Sequence, residues 1–157
     1  MISQLQLQSQ TETLKLTIAG ELTESSDLNP PEIGEQVTKI ELDLEGVESV
    51  NSFGVRTWMT FLKKLVNLNI PIDLVNVSHA CINQLSMIKN FFFDCSIKSF
   101  FVPFYCPSCD VEFISRQENA HDVSEHTTCT HCGEEADLDE DPGVYMFMES
   151  RKNTNES

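Results

Sequence analysis

The stretch Asp43–Trp58, DLEGVESVNSFGVRTW, decides the fold. It reads as the end of a buried strand, then a tight polar connection, then a helix. The connection places Asn51 and Ser52 beside the first backbone N–H groups of that helix, which have no partner within the helix. A hydroxyl held there is either a simple cap or a site where negative charge is added and read by a partner.

Upstream, Val37–Leu44 alternates (Ile40, Leu42, Leu44) and predicts a central strand. Downstream, Val55, Trp58, Met59, Leu62, Leu65 and Val66 fall at the 3–4 spacing of one apolar helix face, with Arg56, Lys63 and Lys64 facing out. Pro71 marks the exit. Ile72–Val77 is an apolar strand, Ser78 has the chemistry of an N-cap, and Ile82, Leu85 and Ile88 give a second helix. Ser96–Tyr105 is expected as a last strand.

At the start, Ile2–Gln8 and Thr13–Ile18 alternate, and Ser9–Thr11 reads as the hairpin turn between them. Glu21–Gln36 holds five acids, no base and the pair Pro30–Pro31, so it is expected as a loop with at most a short helix. The order is β-β-(loop)-β-α-β-α-β. Crossovers through helices imply parallel neighbours, and the initial hairpin implies a mixed sheet. The fold class is α/β, with helices on one face.

This order, together with the Asn51-Ser52-Phe53-Gly54-Val55 turn, resembles the STAS family, the domains of anti-sigma factor antagonists and sulfate-transporter tails. Ile18-Ala19-Gly20-Glu21-Leu22 also resembles the family's strand-ending turn. The resemblance covers residues 1–104. It implies a phosphoacceptor at the first hydroxyl after an acid, here Ser52, with Asn51, Phe53, Gly54 and Arg56 as partner-docking positions. Two residues depart from the family pattern. Asn51 replaces the acid, keeping the capping chemistry without the charge, and apolar Phe53 replaces the second hydroxyl.

Phosphate would add about −1.5 to −2 charges where the helix dipole favours them. The fold would then survive phosphorylation while the binding surface changes sign. The competing reading is that Asn51 or Ser52 only caps the helix, worth about 1 kcal/mol.

A second signal follows. Cys106-Pro-Ser-Cys109 and Cys129-Thr-His-Cys132-Gly133 are two C-x2-C turns at the spacing of a four-thiolate zinc ribbon. The expected cofactor is a structural Zn2+ held by Cys106, Cys109, Cys129 and Cys132; iron also suits four thiolates. Val111–Ile114 and Val144–Met148 are expected to form the ribbon's small sheet over residues 105–149, with a disordered tail at 150–157. Gly133 supplies backbone freedom. His121, His126 and His131 lie in or near the ribbon as exposed loop residues or substitute ligands. Cys81 and Cys95 lack paired spacing and are expected in the core.

Net charge is −15 over 157 residues, and residues 106–157 carry 13 Asp+Glu against 3 Lys+Arg. That balance argues against nucleic acid and acidic membrane surfaces, both of which select Lys and Arg. No stretch is apolar enough to span a bilayer and the start has no secretory pattern, so the expectation is a cytoplasmic chain. Six of ten Phe fall between Phe91 and Phe104. Those not in the sheet can join the ribbon to the main domain or form a homodimer contact.

No phosphate-cradling glycine loop, convergent acid–base pair or open metal site is evident, so an enzyme is not expected. The resemblance implies a non-enzymatic module that binds an anti-sigma kinase or related signalling protein. The alternative is a constitutive scaffold or transporter-accessory subunit docking on an ATPase or permease, with Ser52 only a helix cap.

Overall fold

The structure is a computed structural model, which describes the backbone of residues 4–10 and the whole of residues 12–148. The chain divides into two compact units, Met1–Lys98 and Ser99–Ser157.

The first unit is a five-stranded mixed sheet in the order β1-β2-β3-β4-β5. Its strands are β1 (Gln4–Gln10), β2 (Thr13–Leu22), β3 (Lys39–Val50), β4 (Ile72–Val75) and β5 (Ser96–Ile97). The β1–β2 pair is antiparallel and the others are parallel. Two helices, α1 (Ser52–Val66) and α2 (His79–Met87), make the β3-to-β4 and β4-to-β5 crossovers. The mixed α/β order expected from the sequence is present.

Register explains the single apolar face. Leu14 pairs with Ile40 and Leu16 with Leu42, while Ile40 pairs with Ile72 and Leu42 with Leu74. All six are buried. The intervening positions form a polar ladder on the other face, where Lys15 reaches Glu41 at 3.9 Å and Lys39 reaches Asp73 at 2.7 Å. Against the apolar face α1 buries Trp58, Phe61, Leu62 and Leu65, and α2 buries Cys81, Ile82 and Leu85. Trp58 donates its indole N–H to the Phe91 carbonyl at 2.8 Å and lies in an aromatic cluster with Phe61, Phe91 and Phe92. Cys95 is buried in the same unit, so Cys81 and Cys95 both occupy the core as expected.

Several boundaries differ from expectation: β2 runs past Ile18 to Leu22, β3 begins at Lys39 and not Val37, β4 ends at Val75 and not Val77, and Ile88 is the C-cap of α2. The β1 strand runs through Gln10, which pairs with Thr13, so the turn is shorter than Ser9–Thr11; Ile2 and Thr11 lie outside the described residues. The β3 strand continues to Val50 rather than ending at Leu44. Two register shifts against β2 let it carry extra residues and keep pairing, so that Ser49 meets Glu21 and Val50 meets Leu22. The polar character of Glu45, Glu48 and Ser49 reflects exposure within a strand, not a connection. Finally, Ser96–Tyr105 is not one strand. It splits into β5 and the first strand of the second unit.

That second unit is a four-stranded sheet in the order β7-β6-β9-β8. Its strands are β6 (Phe100–Cys106), β7 (Val111–Gln117), β8 (His126–Thr128) and β9 (Glu135–Leu138), all antiparallel. Phe100, Val102, Phe104 and Cys106 alternate as the buried face of β6. Phe104 stacks on Phe113 and Phe100 on Tyr145.

Val144–Met148, expected as a strand, is helical; the helix spans 143–148. The local cause is legible. Asp141 accepts from the Gly143 N–H at 2.9 Å, and Pro142 sits at the helix start, where a missing N–H costs nothing. The apolar residues 144, 145, 147 and 148 suit a helical face as well as a strand, and the cap decides between them. The tail expected at 150–157 lies outside the described residues.

Candidate functional sites

The start of α1 is built by three backbone contacts. The Asn51 N–H donates to the Leu22 carbonyl at 3.1 Å, tying the helix entry to the end of β2. The Asn51 side chain accepts from the Gly54 N–H at 2.7 Å, and Asn51 is extended, as an N-cap must be. Gly54 is buried against β2, where a Cβ would overlap the Leu22 carbonyl. Only glycine allows that approach. The two stretches that carry the family resemblance, Ile18–Leu22 and Asn51–Val55, therefore meet at one point. Gly20 has φ 98°, which the turn of β2 requires.

This geometry assigns the cap to Asn51 alone. Ser52 is the first helical residue, exposed, and among the described residues nothing takes up its hydroxyl. The first turn of α1 holds no acid, and its last turn holds Lys63 and Lys64. Helix polarity therefore leaves the Ser52 end with a positive partial charge that no side chain of α1 offsets.

Some large apolar side chains of this unit are exposed. Phe53 is 58% exposed and Met87, on α2, is 71% exposed. Gln84 donates its side-chain N–H to the Val50 carbonyl at 3.4 Å. Arg56 is exposed one turn along α1.

In the second unit the four cysteine sulfurs lie within 4.8 Å of one another. Cys106 and Cys132 sulfurs are 3.5 Å apart, and those of Cys109 and Cys129 are 3.7 Å apart. None of the six cysteines is in a disulfide. Four sulfurs at the corners of a tetrahedron with metal–sulfur bonds of about 2.3 Å would be about 3.8 Å apart. The cluster can therefore hold a metal ion.

The two C-x2-C turns are near copies. Asp110 N–H donates to the Cys106 carbonyl at 2.9 Å, and Gly133 N–H donates to the Cys129 carbonyl at 3.1 Å. Each turn ends on a left-handed residue, Asp110 at φ 56° and Gly133 at φ 81°. The freedom expected at Gly133 is used, and Asp110 takes the equivalent strained position while accepting from the Tyr105 hydroxyl at 2.6 Å. The ligands sit at strand ends: Cys106 closes β6, and Cys129 directly follows β8.

The metal-free thiols differ from one another. Backbone N–H groups of Cys132 and His131 pull Cys129 down to about 6, and His131 N–H points at its sulfur from 3.3 Å. Desolvation and the neighbouring thiols push Cys109 up to about 12. The three nearby histidines are not drawn into the thiol cluster. His131 contributes its backbone, His121 lies 3.2 Å from Asp122, and His126 pairs with Asp137 at 3.0 Å.

Comparison with protein-family models, curated proteins and solved structures finds no match. Among the described residues, no helix is long and apolar enough to cross a membrane. What the chain does is therefore read from the two sites themselves.

Proposed function

We propose that the chain is a non-enzymatic regulatory module with a STAS-like first unit, which binds a protein partner through the Ser52 end of α1 and is switched by phosphorylation of Ser52. One observation carries this reading: Asn51 caps α1 and leaves the Ser52 hydroxyl exposed at the helix start, next to exposed Phe53. A phosphoryl group there would meet free N–H groups and the positive helix end, so the helix tolerates it. The partner would meet about −1.5 to −2 new charges next to the exposed Phe53 side chain, which opposes docking.

Partner classes follow the family resemblance. An anti-sigma kinase or related signalling protein fits a switched surface. A scaffold or transporter-accessory role, docking on an ATPase or permease in the cytoplasm, would use the same surface constitutively. Arg56 and Gly54 would serve both, Arg56 by reaching an acidic partner group and Gly54 by holding the helix entry in place.

The four cysteines are proposed as a structural zinc site of the ribbon type, closed by Cys106, Cys109, Cys129 and Cys132. A closed tetrathiolate leaves no position for a substrate water. Its role would be to supply folding energy to a small sheet. Iron is the competing metal, and its thiolate complexes are coloured where zinc's are not. Elemental analysis of the purified protein separates the two.

The test of the switch is partner capture from the native host with wild type, Ser52→Ala and Ser52→Asp. A switched surface loses its partner in Ser52→Asp and keeps it in Ser52→Ala. Equal capture by all three supports the scaffold.

A further inference from the structure

We propose that His126, Glu135 and Asp137 form a second, exchangeable divalent-cation site on the β8–β9 hairpin, separate from the cysteine cluster. The hairpin register pairs His126 with Asp137 and Thr128 with Glu135. Successive side chains alternate faces in a strand, so positions 126, 135 and 137 share one face. One imidazole nitrogen and two carboxylate oxygens there lie within 4.8 Å of one another, and all three residues are exposed. A cation bound at about 2.0–2.2 Å from each ligand atom in tetrahedral geometry needs separations of roughly 3.3–3.6 Å. Rotation of these exposed side chains, moving their ligand atoms by about an ångström, meets that demand.

Charge points the same way. Glu135 and Asp137 project from one strand as like charges two residues apart. Among the described residues neither has a Lys or Arg partner. The segment Glu134–Asp141 carries six acids and no base. A tetrathiolate holding a divalent ion would add net negative charge a few residues away. The complement is a small cation, and an imidazole with two carboxylates selects borderline divalent ions such as Zn2+, Co2+ or Ni2+ over Ca2+ or Mg2+. Three ligands leave the remaining positions to water, so binding is weaker than at four thiolates and reversible.

The register also couples the two centres. Thr128 precedes Cys129, and the Cys129 N–H donates to the Glu134 carbonyl at 2.7 Å. An ion held across β8 and β9 would clamp the arms that present Cys129 and Cys132.

The experiment uses full-length protein loaded with one metal per chain and dialysed, then titrated with Co2+ alone, followed by calorimetry and absorption. The expected result is one further equivalent bound without intense thiolate-to-cobalt charge-transfer absorption. His126→Ala and Asp137→Asn should each weaken that event at least about tenfold, as removal of groups at metal centres does. Asp139→Asn, a control of equal charge change, should leave it within about twofold. The proposal is overturned if no further equivalent binds, or if His126→Ala binds as wild type does. It is equally overturned if Asp139→Asn loses as much as Asp137→Asn, or if charge-transfer absorption grows as cobalt enters the cysteine site.

Discussion

Gly54 and Leu22 are 32 positions apart in sequence, yet the buried Cα of Gly54 rests against the Leu22 carbonyl so closely that no side chain fits between them. The same carbonyl accepts the Asn51 N–H. The end of β2 is therefore the seat on which the first turn of α1 is built.

Gly54→Ala should displace that turn. Overpacking against backbone, which cannot rotate away, costs about 2–3 kcal/mol. Urea denaturation followed by Trp58 fluorescence measures it, since Trp58 is the single Trp and lies in the core of this unit. A loss below about 0.5 kcal/mol, the range of neutral surface changes, would mean that the helix entry relaxes freely.

The cap and the hydroxyl beside it should separate energetically. Asn51→Ala removes the acceptor for Gly54 N–H and should cost about 1 kcal/mol. Ser52→Ala removes a hydroxyl that caps nothing and should change stability by less than about 0.5 kcal/mol. Equal losses in the two variants would return Ser52 to a capping role.

Metal removal should act on one unit only. If the cysteine cluster holds its proposed metal, a strong chelator should abolish the protease resistance of residues 99–148, because a sheet this small would draw much of its folding energy from that ion. Trp58 emission should stay unchanged. A shift in Trp58 emission on chelation would tie the first unit's stability to the metal.

Gly133→Ala should weaken the second cysteine turn through its backbone alone. No atom lies within 4 Å of the added Cβ, but φ is 81°, where an L side chain costs about 1–2 kcal/mol. Competition with a chromophoric chelator should show metal held about tenfold less tightly, the equivalent of about 1.4 kcal/mol. Unchanged competition would mean the turn can adopt another conformation.

The Lys39–Asp73 pair gives a pH-dependent contribution. The hydrogen bond and charge of Asp73 raise the Lys39 ammonium above its usual value. A raised base stabilises fully below its unfolded value, and the benefit fades as pH rises through the folded one. The Lys39 side chain is 46% exposed, so the pair is worth less than about 1 kcal/mol. Asp73→Asn should therefore be slightly less stable than wild type at pH 8, with the Lys39 share of that gap fading as pH rises through the raised Lys39 value. A gap that widens with alkalinity would contradict the pairing.

Much of this architecture was legible from alternation and helical spacing. Leu14, Leu16, Ile40 and Leu42 announced the sheet's apolar face, and Trp58, Leu62 and Leu65 the seam of α1. The spacing of Cys106, Cys109, Cys129 and Cys132 announced a cluster whose sulfurs do converge. Two kinds of information were not local. The β3 strand runs on to Val50 because β2 offers it partners through two bulges, which no pattern within Glu45–Ser49 reveals. The Leu22 backbone beside Gly54 is likewise visible only once β2 and α1 are placed together. At Val144–Met148 the signal was present but outvoted: Asp141-Pro142-Gly143 is a helix start, and apolar content drew the reading toward a strand.

The central claim is that Ser52 is a phosphorylatable switch and not a cap. Its most direct measurement is partner capture from native-host extract by wild type, Ser52→Ala and Ser52→Asp, with intact mass recorded on the chain purified from that host. The account predicts a fraction of the chain heavier by one phosphoryl group, absent in Ser52→Ala, and a partner held by Ser52→Ala but lost by Ser52→Asp. A chain that is never modified, with the same partner held equally by all three forms, would contradict it.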